Sequence, residues 1–390
     1  MKPLKELNHI NKELSHTNRE KLIAYRRDLH RIPELGHDLP KTAKYIVDHL
    51  SALPCEIISV SDGGFCALFK GGKAAANAPA TAFRTDMDAL PITEENDVDY
   101  RSQHEGAMHA CGHDGHMSIM LGFAEEVAAG LGGLDRNVLL VFQPAEETTG
   151  GAKDIAESGV FTDHHVEKIF GLHLWPGFPT GSVICRDGDF MASTMVLYVD
   201  IEGKSAHIGQ YKKGIDALDA ACRFVTRCYV VEKDEVAPEV RRLLRFGLLR
   251  SGSANNIVAD SAHLEGTLRT YADEVSGFLL ARIDEIAAGI GARTGAKLTI
   301  RHTDPYPAVV NPHRLFAASK KALTKEGFDF IELPDPLMIS EDFSWYQRAL
   351  PGLFLYIGTG ADTPLHSPAY RMDEDALVAG VLAYKTLLGA

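Results

Sequence analysis

The sequence contains no long uncharged apolar stretch: no run approaches the roughly 20 residues that a bilayer-spanning helix needs, which excludes a helical membrane protein. Cationic residues are in the minority, 40 Lys and Arg against 53 Asp and Glu, and no basic run interrupts the formal charge of −13. A nucleic-acid surface needs clustered Lys and Arg to displace counterions, so nucleic acid is excluded as a partner. Cysteine is sparse, with Cys55, Cys66, Cys111, Cys185, Cys222 and Cys228 widely spaced over 390 residues. That is unlike the dense disulfide framework of a small secreted domain. The opening residues MKPLKELNHINKEL lack the apolar core of a signal peptide, and a cytoplasmic location is the expectation. No internal repeat or low-complexity tract is present.

What is present is an ordinary globular composition, 45% hydrophobic and 24% charged, with enough length for two domains. Thr17 and Glu20 are spaced as a capping box before Leu22, Tyr25 and Leu29, and Pro33 with Gly36 closes that helix. Ala43, Ile46, Val47 and Leu50 mark a second apolar stripe. Short strand-like runs follow at CEIISV, FCALFKG, ATAFRTD, NVLLVFQP, KIFGLHLWP and GSVICRDG, with a helical pattern around Ile119, Phe123 and Val127. This alternation predicts an α/β fold with a mixed, mostly parallel sheet and flanking helices. The stretch VLLVF is apolar throughout, as a strand covered on both faces must be. From about 190 to 303 the order becomes strand, helix, strand, strand, helix, strand, the ferredoxin-like split motif. The reading is therefore a discontinuous domain, 1–189 and 304–390, with an inserted α+β domain at 190–303.

Five side chains carry metal-binding chemistry. In HACGHDGHM, Cys111 and His113 flank a glycine, so thiolate and imidazole can turn toward one point, and both suit zinc and its neighbours. The plainer alternative is a buried cysteine beside a helix-start histidine. In QPAEETTGG, directly after the VLLVF strand, Glu146 and Glu147 are adjacent. In extended backbone they would face opposite sides, which predicts that one binds metal while the other handles protons. A solvated acidic loop is the alternative, weakened by the position of the pair at the carboxyl end of a central strand, where ligands of open α/β sheets bind. His173 closes the strand in GLHLWP, and His366 lies in a proline-bounded loop in TPLHSPAY. Together these make three His, one Cys and one carboxylate, enough for two divalent ions about 3.5–4 Å apart.

The sequence resembles the family of dinuclear metal-dependent amidohydrolases and peptidases that contains bacterial aminoacylases, hippurate hydrolases and auxin-conjugate hydrolases. The resemblance is carried, in order, by RRDLHRIPELG, FRTDMDALPITEE, MHACGHDGHM, VFQPAEE, GLHLWP, GKSAHIG, NNIV, EGTLRT, SEDFSWY and LHSP, which cover nearly the whole chain. It implies Cys111, His113, Glu147, His173 and His366 as ligands of two divalent ions, with Glu146 as the acid/base of amide hydrolysis. It implies a zinc-peptidase-like catalytic domain and a lid and dimerisation domain at 190–303. It further implies that His207, in GKSAHIG, stabilises the oxyanion in the partner subunit of a homodimer, and that Asn256 and Arg269 hold the substrate carboxylate. For Arg269 an ordinary ion pair is the alternative.

The implied reaction is hydrolysis of an N-acyl amino acid, with a dipeptidase or carboxypeptidase as the enzymatic alternative and a catalytically silent metal-binding dimer as the non-enzymatic one. Zinc leads among the metals, with manganese, cobalt and nickel open to the same donors. Asp86 and Asp88 read as residues that orient ligands, Asp342 as structural, and His109, His116, His164 and His165 carry no assignment. The sequence departs from the family pattern after PELG, where it reads HDLPKT, and after the lid histidine, where it reads HIGQYKKGID without the usual proline.

Overall fold

The computed structural model describes residues 14, 16–75 and 77–389. In chain order its strands are β1 (Glu56–Ser59), β2 (Phe65–Phe69), β3 (Ala80–Asp86), β4 (Asn137–Gln143), β5 (Val166–Trp175), β6 (Val183–Cys185), β7 (Gly188–Met191), β8 (Ser193–Glu202), β9 (Leu243–Ser251), β10 (Ser261–Thr270), β11 (Lys297–His302), β12 (Val309–Asn311), β13 (Phe330–Glu332) and β14 (Gly352–Gly358). The helices are α1 (Arg19–His30), α2 (Pro40–Leu50), α3 (His113–Gly130), α4 (Ala152–Glu157), α5 (Val160–Asp163), α6 (Ala217–Asp234), α7 (Asp273–Thr294), α8 (His313–Lys325), α9 (Ser344–Ala349) and α10 (Ala376–Leu388). The chain forms two compact units. One comprises the residues up to Phe190, Val310–Asp335 and those from Asp342 onward; the other comprises Met191–Val309 with Pro336–Glu341.

The first unit is built on an eight-stranded sheet of order β1-β2-β4-β3-β5-β14-β6-β13. Its centre is parallel, β4 with β3, β3 with β5 and β5 with β14, while β1, β2 and β6 pair antiparallel with a neighbour. Helices cover the sheet, so β3 and β14 are buried along their whole length, and β4 at every residue after Asn137. That burial is what the uninterrupted VLLVF run requires. Phe83 on β3, Phe123 on α3, Phe170 on β5 and Tyr384 on α10 pack ring to ring. The Tyr384 hydroxyl donates to Arg84 C=O at 2.8 Å and accepts from Leu172 N–H at 3.1 Å, fixing α10 to two central strands. α1 starts one residue later than the Thr17 cap predicts: Asn18 is the N-cap and accepts from Lys21 N–H. The Thr17 N–H is instead bound by Glu126, a partner 109 residues away that no local pattern signals.

The second unit is a four-stranded antiparallel sheet of order β11-β8-β10-β9. β8 and β10 alternate buried and half-buried residues, the period of a sheet with one covered face. Leu197, Val199, Leu264 and Leu268 pack there with Phe224 of α6 and Ile283 of α7. Asp216 caps α6 by accepting from Leu218 and Asp219 N–H.

Candidate metal centre

Three consecutive sheet strands and the loops after them deliver the site. β3 ends on Asp86 and Asp88 follows it; after β4 the chain carries Glu146 and Glu147; His173 sits near the end of β5. Cys111 and His113 flank Gly112, whose φ of +86° is the left-handed turn that starts α3, a conformation glycine adopts at little cost. His366 occupies a loop after β14 with φ +62°, uncommon for a residue with a Cβ, and its N–H is held by Ala110 C=O at 2.9 Å.

These segments bring the five predicted ligands together. Cys111 Sγ lies 3.4 Å from His173 Nε2 and 3.3 Å from His366 Nε2. Glu147 Oε1 is 3.3 Å from His366 Nε2 and 3.8 Å from His113 Nε2. The donor atoms of Cys111, His113 and His173 fall within 4.8 Å of one another, as do those of Cys111, Glu147 and His366. Neither His113 Nε2 nor Glu147 Oε1, both buried, makes an aligned hydrogen bond. Facing polar atoms left without such bonds, set among a thiol and two more imidazoles, fit a divalent cation better than they fit one another.

Tautomers are fixed from behind. His113 Nδ1 lies 2.8 Å from Asp88 C=O and His173 Nδ1 lies 2.8 Å from Leu174 C=O. A carbonyl only accepts, so each Nδ1 carries a proton and each Nε2 is the nitrogen turned toward the centre. His116, unassigned from sequence, is the missing support. Its Nε2 accepts Leu174 N–H at 2.9 Å while its Nδ1 donates to Asp86 Oδ1 at 2.7 Å. With both nitrogens engaged it holds the peptide beside His173. The signal was available, because His113 and His116 are spaced i and i+3 on one helix and so share a face.

The electrostatics draw positive charge to this point. Burial alone would lower the His113 pKa, but Asp86, Asp88 and Glu147 raise it to about 10. Burial opposes ionisation of Asp86, yet His113, His116 and Arg84 hold it well below the carboxylate range. Burial, Glu147 and Glu146 push the Cys111 thiol well above its ordinary value, so this thiol becomes a thiolate only beside a cation. Arg84 is wholly buried and bridges Asp86 at 2.8 Å to Asp342 at 3.0 Å. Asp342 also accepts from Gln143 Nε2 and Ala152 N–H, the structural use the sequence predicts.

The acidic pair differs from expectation. Glu146 and Glu147 lie in a turn, not in extended backbone, and their carboxylates do not diverge: oxygens of both lie with the His113 donor within 4.8 Å. The cause is Ala145 at φ +59° together with Asp88, whose Oδ1 and Oδ2 accept the N–H groups of Glu146 and Glu147 at 3.0 and 3.1 Å.

The other three predicted residues belong to the second unit. His207 and Asn256 meet there: Asn256 C=O accepts Ile208 N–H at 2.9 Å, and His207 bridges to Ile257. Both side chains are exposed, and His207 Nδ1 accepts Gly209 N–H. Arg269 is half-buried on β10; one Nη donates to Met338 C=O, and among the described residues it pairs with no carboxylate.

A doubly covered α/β sheet with a Cys, His and Glu cluster at its carboxyl edge defines a metallopeptidase-like hydrolase. The model of peptidase family M20/M25/M40 matches residues 82–390, and the chain belongs to this family. It is similar to an N-acetyldiaminopimelate deacetylase of Shouchella clausii, 35% identical over 359 residues that cover 91% of this chain and 94% of the relative. A deacetylase of the same name from Bacillus velezensis is 35% identical over 373 residues, 93% of this chain and 96% of the relative. Among solved structures, a dinuclear metal-binding peptidase of the M20 family from Bacillus subtilis superposes with a TM-score of 0.82 at 31% identity, covering 95% of this chain and 97% of that one. With this family and these relatives, the chain is an amide-cleaving hydrolase.

Proposed function

We propose that this chain hydrolyses the amide bond of N-acyl amino acids, with two divalent ions held by Cys111, His113, Glu147, His173 and His366. The observation that carries the reading is the convergence of Cys111 Sγ on His173 and His366 at 3.4 and 3.3 Å, beside the unsatisfied His113 Nε2 and Glu147 Oε1. Ions bound there would supply Lewis acidity for the acyl oxygen and for a water whose pKa falls toward about 7. Zinc suits the thiolate and imidazoles best, and manganese, cobalt and nickel suit the same donors.

Glu146 is the acid/base. Its carboxylate lies beside the ligands without being needed as one, and its backbone is fixed by Asp88. It takes a proton from the attacking water and passes it to the amine nitrogen as the C–N bond breaks, since an amine cannot leave as an anion. The products are a carboxylic acid and a free amino acid. Arg269, with no carboxylate partner among the described residues, offers a two-pronged donor for the substrate carboxylate, and Asn256 assists it. The 190–303 segment is the lid and dimerisation domain, and the exposed His207 donates to the oxyanion in the partner subunit of a homodimer. An acetyl acyl group is favoured by the deacetylases among the relatives, and a cytoplasmic location agrees with a small, charged substrate.

The test is release of free amine from a panel of N-acetyl, N-benzoyl and dipeptide substrates by metal-replete protein, beside Glu146→Gln. Release lost in the variant at unchanged metal content supports the reading; preference for dipeptides would move it to a dipeptidase, and no release with any metal would leave a silent metal-binding protein.

A further inference from the structure

The Glu146–Glu147 turn is gripped from two sides, and only the inner grip belongs to the centre. Asp88 holds it from within. On the outer side runs Glu34–His37, between α1 and α2. Glu34 C=O accepts Ala89 N–H at 2.8 Å, next to Asp88, and Gly36 C=O accepts Ala145 N–H at 3.1 Å. One four-residue segment thus ties the Asp88 loop to the entry of the acidic turn. His37 continues the contact with its side chain: Nδ1 lies 3.2 Å from Asp62 C=O and Nε2 lies 3.0 Å from Thr149 Oγ1. The carbonyl requires Nδ1 to carry the proton, so in the neutral ring Nε2 accepts from the Thr149 hydroxyl. Gly63 makes room for this arrangement, because at its φ of +72° a Cβ would stand 2.4 Å from His37 C=O.

We infer that Glu34–His37 is a positioning strap for the Glu146–Glu147 turn, with the His37 imidazole as its latch on Thr149. The inference rests on the roles given above to Glu146 and Glu147. The turn needs such a constraint. It enters through Ala145 at φ +59° and leaves through Gly150 at φ +82°, and a left-handed alanine persists only where its surroundings over-determine it. A catalytic carboxylate displaced by even an ångström loses much of its advantage. His37 touches neither ligand nor acid/base, so it acts through the turn.

Four forms of the full-length, metal-loaded chain test this: wild type, His37→Ala, Thr149→Val and the double variant, with His37→Gln as a rescue. Two readouts are kcat against KM for an N-acetyl amino acid, and hydrogen–deuterium exchange of the peptide covering 144–151. The latch predicts a three- to tenfold fall in kcat with KM within about twofold, as expected for one net hydrogen bond. It predicts exchange at 144–151 faster by a similar factor while peptides of α6 are unchanged. The double variant should resemble either single one, since both remove the same bond, and His37→Gln should recover at least half of the loss. Unchanged kcat and exchange in His37→Ala, or fully additive losses in the double variant, would overturn the latch. The hydrolase reading fails separately: wild-type chain without amidase activity, but with coupled exchange, would leave the strap standing and remove the catalytic role.

Discussion

Asp88 Oδ1 accepts the backbone N–H of Glu146 at 3.0 Å. The other carboxylate oxygen takes the next N–H, and the Asp88 carbonyl takes the proton of His113 Nδ1. One residue thereby orients the proposed acid/base, Glu146, and two of the proposed ligands, Glu147 and His113. Asp88→Asn replaces one acceptor oxygen by an NH₂ group that meets a peptide N–H head-on. Supports of this kind are worth about 10- to 100-fold in activity or metal affinity. We expect kcat for amine release to fall within that range and metal to dissociate more readily, measured by kinetics and by metal content after dialysis. A variant with wild-type kcat would show that the turn holds itself.

His116 makes a different contribution. Its two bonds satisfy the buried Asp86 carboxylate and the buried Leu174 N–H, and burial lowers its pKa despite the Asp86 charge, so it stays neutral. His116→Phe retains a ring but strands the Leu174 N–H and Asp86 Oδ1, while Asp86 Oδ2 keeps Arg84. Each unsatisfied buried group costs about 1–3 kcal/mol, so unfolding in urea should show a loss of roughly 2–5 kcal/mol, with metal still bound by the protein that remains folded. A loss below about 1 kcal/mol would mean that water replaces the imidazole.

How much of this was legible beforehand follows the reach of each interaction. The buried β4 and the split βαββαβ order were written in local apolar periodicity, which a strand or helix imposes on its own residues. That Cys111, His113, Glu147, His173 and His366 converge could be expected from sequence for Cys111 and His113, which flank a glycine, and for His173, near the end of β5. The geometry of the acidic pair could not. Strand alternation predicts diverging carboxylates, but the turn is dictated by Asp88, 58 residues away. The α1 cap failed for the same reason: Thr17 matches the local pattern, yet its N–H is claimed by Glu126.

Glu126 itself carries a pH prediction. Its carboxylate accepts His16 and Thr17 N–H at 2.9 and 3.2 Å and pairs with Lys385 Nζ at 3.2 Å, joining the chain before α1 to α3 and α10. Burial alone would raise its pKa, but these three donors lower it below the ordinary glutamate value. A depressed folded-state pKa means stability that is fully present above the unfolded value of about 4.5 and is lost as pH falls through the folded one. Glu126→Gln should therefore be less stable than wild type by about 1–3 kcal/mol at pH 7. The gap in urea midpoints should close as pH drops below about 4.5, and a gap that stays constant down to pH 3 would refute the ionic account.

Metal removal reaches the Cys111 thiol. In the metal-free cluster burial, Glu147 and Glu146 hold it protonated, whereas coordination requires the thiolate, so loading must release protons. The proton that the carboxylates favour on His113 must leave as well. We expect chelated protein to lose amidase activity and regain it with zinc or cobalt, and titration of the apo form in weak buffer at pH 7 to release more than one proton per chain. In Cys111→Ser the thiol proton is no longer available, and proton release should fall by about one. Cobalt-loaded wild type should show a thiolate-to-metal charge-transfer band that this variant lacks. Metal uptake with no proton release would mean that cations bind outside the cluster, because Cys111 and His113 cannot enter a coordination sphere while they keep those protons.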